Sequence, residues 1–173
     1  MTTEQLHQLI RDVPDFPKPG IIFKDITPLL KSPRALAAAC EQLAEPFRAE
    51  RVTQVAAIES RGFIFGSIVA QILGAGFIPI RKPGKLPWTK RRLEYALEYG
   101  SDALEVHDDA VDAGERVLVI DDVLATGGTL AAANQLLQDL GADLVGAATL
   151  IELEFLGGRG KLGGIRFHSV IKY

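Results

Sequence analysis

Apolar positions along the chain fall into two kinds of run that alternate. Short, nearly unbroken apolar stretches at 52–58 (VTQVAAI), 76–82 (GFIPIRK), 116–120 (RVLVI), 143–151 (DLVGAATLI) and 165–171 (IRFHSVI) read as strands buried on both faces. Between them lie runs with three-four spacing. EQLHQLIRDV (4–13) carries Leu6, Leu9, Ile10 and Val13 on one stripe, and PDFPKPG (14–20) stops it as a loop. In SPRALAAACEQLAEPF (32–47), Ser32 stands as N-cap, Pro33 takes the first helical position, and Leu36, Cys40, Leu43 and Phe47 share a face. GFIFGSIVAQIL (62–73) and TLAAANQLLQDL (129–140) complete the helices. Strands separated by helices predict an α/β fold, a mainly parallel sheet flanked by helices.

The segment from 83 to 104 breaks this rhythm. PGKLPWTKRRLEYALEYGSDAL is charged and punctuated, with weak alternation in RLEYALEY, and predicts an exposed excursion folded as a loose hairpin. Its Trp88, Lys90, Arg91 and Arg92 read as a solvated basic patch, or as a device steering a polyanion to the site.

Composition narrows the function classes. The chain has 173 residues, 47% of them apolar, a formal charge of −3 and one cysteine; its mean hydropathy is +0.15 and its pI about 5.6. That length fits one domain, 1–173, with its own core. An acidic balance argues against nucleic acid as a partner, so any anion site must be local. Neither a secretory leader nor a membrane span is expected, which places the chain in the cytoplasm without a membrane partner. Cys40 on its apolar stripe reads as an inert core thiol, and His7, His107 and His168 are too dispersed for a metal site.

One string does not serve folding. In RVLVIDDVLATGGTLAAA, a buried strand meets two adjacent carboxylates, Asp121 and Asp122, and then a glycine turn opens a helix. In parallel sheets ligands sit beyond the carboxyl ends of the strands. Free amides at a helix N-terminus favour an anion, and Ala125, Thr126, Gly127, Gly128 and Thr129 supply amides, hydroxyls and close backbone approach. The paired carboxylates suit sugar hydroxyls. A ribose 5-phosphate has both. Arg61, at the start of the 62–73 helix, is unfavourable there without an anion nearby.

VLVIDDVLATGGT resembles the phosphoribosyl pyrophosphate (PRPP) motif of the type I phosphoribosyltransferases. DFPKPGIIFKDITPLL, ESRGFIFG, PIRKPGKLP and LEYG resemble the adenine-specific branch of that family, so the likeness spans nearly the whole chain. The resemblance implies the type I phosphoribosyltransferase fold with a small N-terminal hood (1–31) that binds the base and a flexible lid (83–102). It implies transfer of the phosphoribosyl group from PRPP to adenine, giving AMP and pyrophosphate. Asp121 and Asp122 then hold the ribose hydroxyls, Ala125 to Thr129 cradle the 5-phosphate, and Arg61, Lys82 and Lys85 meet the pyrophosphate, with Arg81 reaching a neighbouring subunit. A non-proline cis peptide just ahead of Arg61 is also implied. Phe23 stacks on adenine, backbone groups near Ile22 and Lys24 read its edge, and Leu153 covers the other face. Such backbone reading can discriminate by ~10⁴-fold, because a mismatched base leaves buried polar groups unpaired. Glu98 handles the proton at adenine N7, with Tyr99 beside it on the lid. Mg²⁺ enters with PRPP, held mainly by substrate rather than by a protein metal site, and a homodimer is expected.

Two other functions are weighed: transfer to a 6-oxopurine, and a PRPP- or nucleotide-sensing regulator without turnover. GRGKLG (158–163) formally matches a dinucleotide-binding pattern, but no helix pattern follows, so it reads as a glycine-rich loop.

Overall fold

The structure, a computed structural model, describes residues 1–96 and 100–173. At the N-terminus Thr2 caps α1 (Thr3–His7): its hydroxyl accepts from the Gln5 amide, and the Gln5 side chain accepts from the Thr2 amide. The helix ends far short of the predicted 4–13 span. Arg11–Pro14 instead forms β1, paired antiparallel with β2 (Ile22–Asp25) with Val13 opposite Phe23. Ion pairs from Arg11 to Asp25 (3.5 Å) and from Lys24 to Asp12 (2.7 Å) join the two strands. Tertiary pairing here overrides a local helical spacing. After α2 (Thr27–Lys31) comes α3 (Pro33–Ala44), capped as predicted by the Ser32 hydroxyl, which accepts from the Ala35 amide at 3.3 Å.

The central sheet has five strands, all parallel. Chain order runs β3 (Gln54–Ile58), α4 (Gly62–Leu73), β4 (Gly76–Ile80), then the antiparallel hairpin β5 (Lys90–Ala96) and β6 (Ser101–His107). β7 (Arg116–Leu124), α5 (Gly128–Asp139), β8 (Asp143–Glu152) and β9 (Phe167–Lys172) follow. Spatial order is β4-β3-β7-β8-β9. Alternate residues of one strand serve two cores: Leu118 and Ile120 pack with α3 and α4, while Val117 and Val119 pack with α5 and the hairpin. Burial on both faces is why these strands have no polar alternation.

α4 carries the chain from β3 outward to β4, and α5 carries it from β7 the other way to β8, the two helices lying on opposite faces. The strand order therefore reverses between β3 and β7. A crevice opens at such a point, beyond the carboxyl ends of the two strands.

Two expectations need correction. The hairpin is exposed along β5 and at the start of β6; Ala103 to Val106 of β6 are buried, and Arg81 and Glu105 exchange backbone hydrogen bonds that moor β6 to the end of β4. Its apolar positions join the core, so its C-terminal limb is not an excursion. The strand entering the acidic pair also does not stop there: β7 runs through both aspartates to Leu124.

Candidate active site

Asp121 and Asp122 lie on the last half of β7, both buried. Asp121 Oδ1 accepts the Asp122 amide at 2.8 Å, and Asp122 Oδ2 receives Arg61 Nη2 at 2.9 Å. Burial pushes the Asp121 carboxyl well above the usual carboxylate range, and the neighbouring Asp122 charge adds to the rise. Asp122 is also raised by burial, with Arg61 opposing. One amide and one guanidinium offset only part of the cost of burying two adjacent carboxyls, so further donors or positive charge would stabilise the pair.

Beyond them the chain bends at Ala125, Thr126 and Gly127 and enters α5 at Gly128 and Thr129. The bend lines a pocket of about 140 Å³ with Asp121 at its edge. Gly127, at the N-cap, has φ +81°, a left-handed conformation that favours glycine. A Cβ there would also sit 2.3 Å from the Gly158 carbonyl oxygen. Gly158 is equally constrained, since its own Cβ would fall 2.3 Å from the Ala125 carbonyl oxygen. The glycine-rich segment set aside by its sequence pattern thus packs directly against the backbone of the loop that lines this pocket, folded as a short 3₁₀ turn, Gly158–Lys161. Arg159 fastens that turn to the sheet with paired hydrogen bonds of 2.5 and 2.7 Å to Glu152, which also accepts from Ser169. The Arg159 contact holds Glu152, itself buried, below its ordinary pKa.

Arg61 links this pocket to the N-terminal hood, because its guanidinium carbon lies 4.9 Å from the centre of the Phe23 ring. Phe23 meets Phe16 edge-on at 5.2 Å, and neighbouring Ile22 is 55% exposed, so β2 offers an accessible apolar face. The Lys24 amine is held by Asp12 and lies over the ring of Tyr173. Leu153, just past β8, donates its amide to the Leu124 carbonyl at 2.9 Å and so sits at the same end of the sheet.

The remaining cations divide. Arg81 and Lys85 both bind the carboxylate of Glu59, which follows β3. Burial would raise Glu59, but hydrogen bonds from Lys85 and Arg81 outweigh it and hold the group low. The Glu59–Ser60 peptide is cis, one residue ahead of the Ser60–Arg61 link. Lys82 instead binds Asp102 and the Tyr95 hydroxyl, and that hydroxyl lies 3.1 Å from Thr129 Oγ1. Glu98 and Tyr99 lie outside the described residues.

Sequence reasoning missed Glu59, Tyr95, Asp102, Gly158 and the Arg159–Glu152 pair. The alternation in RLEYALEY does place Leu93 and Tyr95 on the inner face of β5, as found. Gly158 meets Ala125 and Lys82 meets Asp102 across long stretches of chain, and the nearer Arg159–Glu152 pair joins a strand end to an irregular turn, so none leaves a periodic trace. The basic patch is largely occupied: Arg92 pairs with Glu94, Arg91 with Asp108 and the Asp139 carbonyl, and Lys90 donates to the Leu86 carbonyl. Cys40 is fully buried, its thiol pushed up to about 12 by burial.

Residues 25–161 match the family described as the phosphoribosyl transferase domain. The chain is 55% identical to the adenine phosphoribosyltransferase of Methylococcus capsulatus, over 98% of this chain and 99% of that protein. The crystal structure of the adenine phosphoribosyltransferase of Thermoanaerobacter pseudethanolicus superimposes with a TM-score of 0.97 at 49% identity, covering 99% of this chain and all of that one. The Giardia lamblia enzyme, solved with 9-deazaadenine, gives 0.94 at 41% identity over 100% of this chain and 98% of that one. Identity of this extent over nearly the full length of both proteins, with the same fold, shows that the chain belongs to the adenine phosphoribosyltransferases.

Proposed function

We propose that the crevice between β3 and β7 performs the transfer for which this family is named: the bond from C1′ of PRPP to pyrophosphate breaks, the bond from C1′ to adenine N9 forms, and AMP is released. The observation that carries the reading is the continuous line of contact from Phe23 through Arg61 to Asp122, with the amide-lined pocket directly after it. Base, sugar and phosphate follow one another in that order in the product.

Asp121 and Asp122 accept the ribose 2′- and 3′-hydroxyls, which add donors to those that the Asp122 amide and Arg61 already provide. The amides of Ala125 to Thr129 and the hydroxyls of Thr126 and Thr129 receive the 5-phosphate. Arg61, Lys82 and Lys85 stabilise the departing pyrophosphate, and preorganised charge of this kind is often the largest catalytic contribution. Phe23 and Leu153 bracket the adenine ring. The outer edge of β2, in a sheet of only two strands, keeps backbone groups near Ile22 and Lys24 for its Watson–Crick edge. Glu98 handles the proton at N7. Residues 83–102, with Tyr99, act as the lid that excludes water from the cationic sugar.

Magnesium is compatible with this donor set, because Mg²⁺ is commonly held by phosphate oxygens, waters and at most one or two carboxylates; it would enter with PRPP and be held mainly by the substrate, with Asp121 the carboxylate that lines the pocket. Bound with PRPP, it would neutralise charge on the leaving group. A homodimer is the proposed assembly, with the exposed Phe77 beside Phe63 near the edge strand β4 as a contact surface and Arg81 close by. Sedimentation at micromolar concentration should give twice the chain mass; a single-chain mass would remove this part.

The direct test mixes the protein with Mg²⁺, PRPP and adenine, with hypoxanthine and guanine in parallel. AMP and pyrophosphate are expected from adenine, with far slower reaction of the 6-oxopurines. Folded protein that binds PRPP yet produces no AMP would instead be a sensor.

A further inference from the structure

Lys82 and Thr129 stand on opposite sides of the reacting sugar in the reading above, one for pyrophosphate and one for the 5-phosphate, and a single hydroxyl joins them. Tyr95 Oη lies 3.2 Å from Lys82 Nζ, 3.1 Å from Thr129 Oγ1 and 3.3 Å from Asp102 Oδ2. One proton arrangement satisfies all three contacts: Tyr95 donates to Asp102 and accepts from Lys82 and Thr129. Lys82 also binds the same Asp102 oxygen directly, and the other oxygen is fixed by the Ala103 amide at 2.8 Å. Two donors assigned to substrate anions are therefore both committed to one carboxylate, Thr129 through the tyrosine and Lys82 by contact.

The pair is also reachable from water, with side chains 34% exposed for Lys82 and 31% for Asp102. Asp102 is held below and Lys82 above its ordinary pKa: burial opposes each shift, but their mutual hydrogen bond outweighs it. Both are charged at neutral pH. An incoming anion therefore meets an ammonium whose charge Asp102 already offsets.

We propose that Asp102 is a resident anion that competes with pyrophosphate for Lys82, and that Tyr95 extends this competition to the 5-phosphate by occupying Thr129. Asp102 thereby sets the affinity of the site for its leaving group, weakening the hold on pyrophosphate and favouring its release. The inference rests on the reading of Lys82 and Thr129 as anion donors.

Binding of magnesium pyrophosphate to the full chain, measured by calorimetry, tests it. Asp102→Asn should bind roughly fivefold more tightly, the scale of a partly exposed ion pair. In a Lys82→Met background the same change should give no gain, since a double-mutant cycle isolates the pair. Tyr95→Phe, which leaves the Lys82–Asp102 pair intact, should tighten ribose 5-phosphate by about two- to threefold by freeing Thr129. Unchanged or weaker pyrophosphate binding in Asp102→Asn, or a gain that persists without Lys82, would overturn the proposal. If Asp102→Asn does not fold, weaker ribose 5-phosphate binding in Tyr95→Phe overturns it. Wild-type protein that binds neither probe would remove the underlying functional reading as well, whereas normal wild-type binding with a flat cycle removes this inference alone.

Discussion

At the scale of single residues, the site is organised by charges placed where folding alone would not put them. Asp121 is buried beside another carboxylate, and its pKa stands well above the unfolded value. In the window between those two values the folded chain binds more protons than the unfolded chain, so stability falls as pH rises through it. Glu59 has the opposite sign. Its pKa is lowered through Lys85 and Arg81, and its contribution is present above the ordinary carboxylate range and lost as pH falls through the lowered value. Asp121→Asn keeps an oxygen for the Asp122 amide but removes the buried charge. It should stabilise the fold by on the order of 1 kcal/mol, read as a higher thermal midpoint, and lower turnover of PRPP about ten- to a hundredfold, the weight of a charged hydrogen bond or two. A variant that is less stable and fully active would contradict the assignment of Asp121.

At the scale of elements, the phosphate cradle is held from behind by the turn at Gly158. That turn is locked by Arg159 on the buried Glu152. Gly158→Ala places a methyl group against the Ala125 carbonyl, so the cradle must shift. Steady-state kinetics should show KM for PRPP raised about tenfold or more, as misplacement of a binding group by an ångström commonly does, with KM for adenine little changed. Equal loss for both substrates would indicate general damage instead. This turn also shows where reading a sequence stops. α4 occupies the span its apolar pattern predicts, and the five core strands are recognisable because burial on two faces forces continuous apolar runs. The Asp-Asp and Thr-Gly-Gly-Thr string is equally legible, since no folding requirement accounts for it. β1 was not, because Leu6, Leu9, Ile10 and Val13 happen to keep helical spacing while pairing with β2 decides the outcome. Gly158 acts through backbone approach between distant segments and leaves no periodic trace, while alternation puts Tyr95 on the inner face of β5 without revealing that its hydroxyl joins Lys82 to Thr129.

At the scale of the whole molecule, function follows from the point where strand order reverses. β3 delivers Glu59 and Arg61, β7 delivers the paired aspartates and the cradle, and the hood folds back so that Phe23 reaches Arg61. The hairpin, moored by Arg81 and Glu105, lays Tyr95 over the start of α5. Four segments distant in sequence thus converge at the carboxyl ends of β3 and β7. The central claim is that the aspartate pair and the amides after it hold opposite parts of a single sugar phosphate. A crystal structure of the protein with AMP tests this most directly. The account predicts the phosphate on the amides of Ala125 to Thr129, the ribose hydroxyls on Asp121 and Asp122, and the base against Phe23. A bound AMP whose phosphate and hydroxyls lie away from β7 and the start of α5 would contradict it.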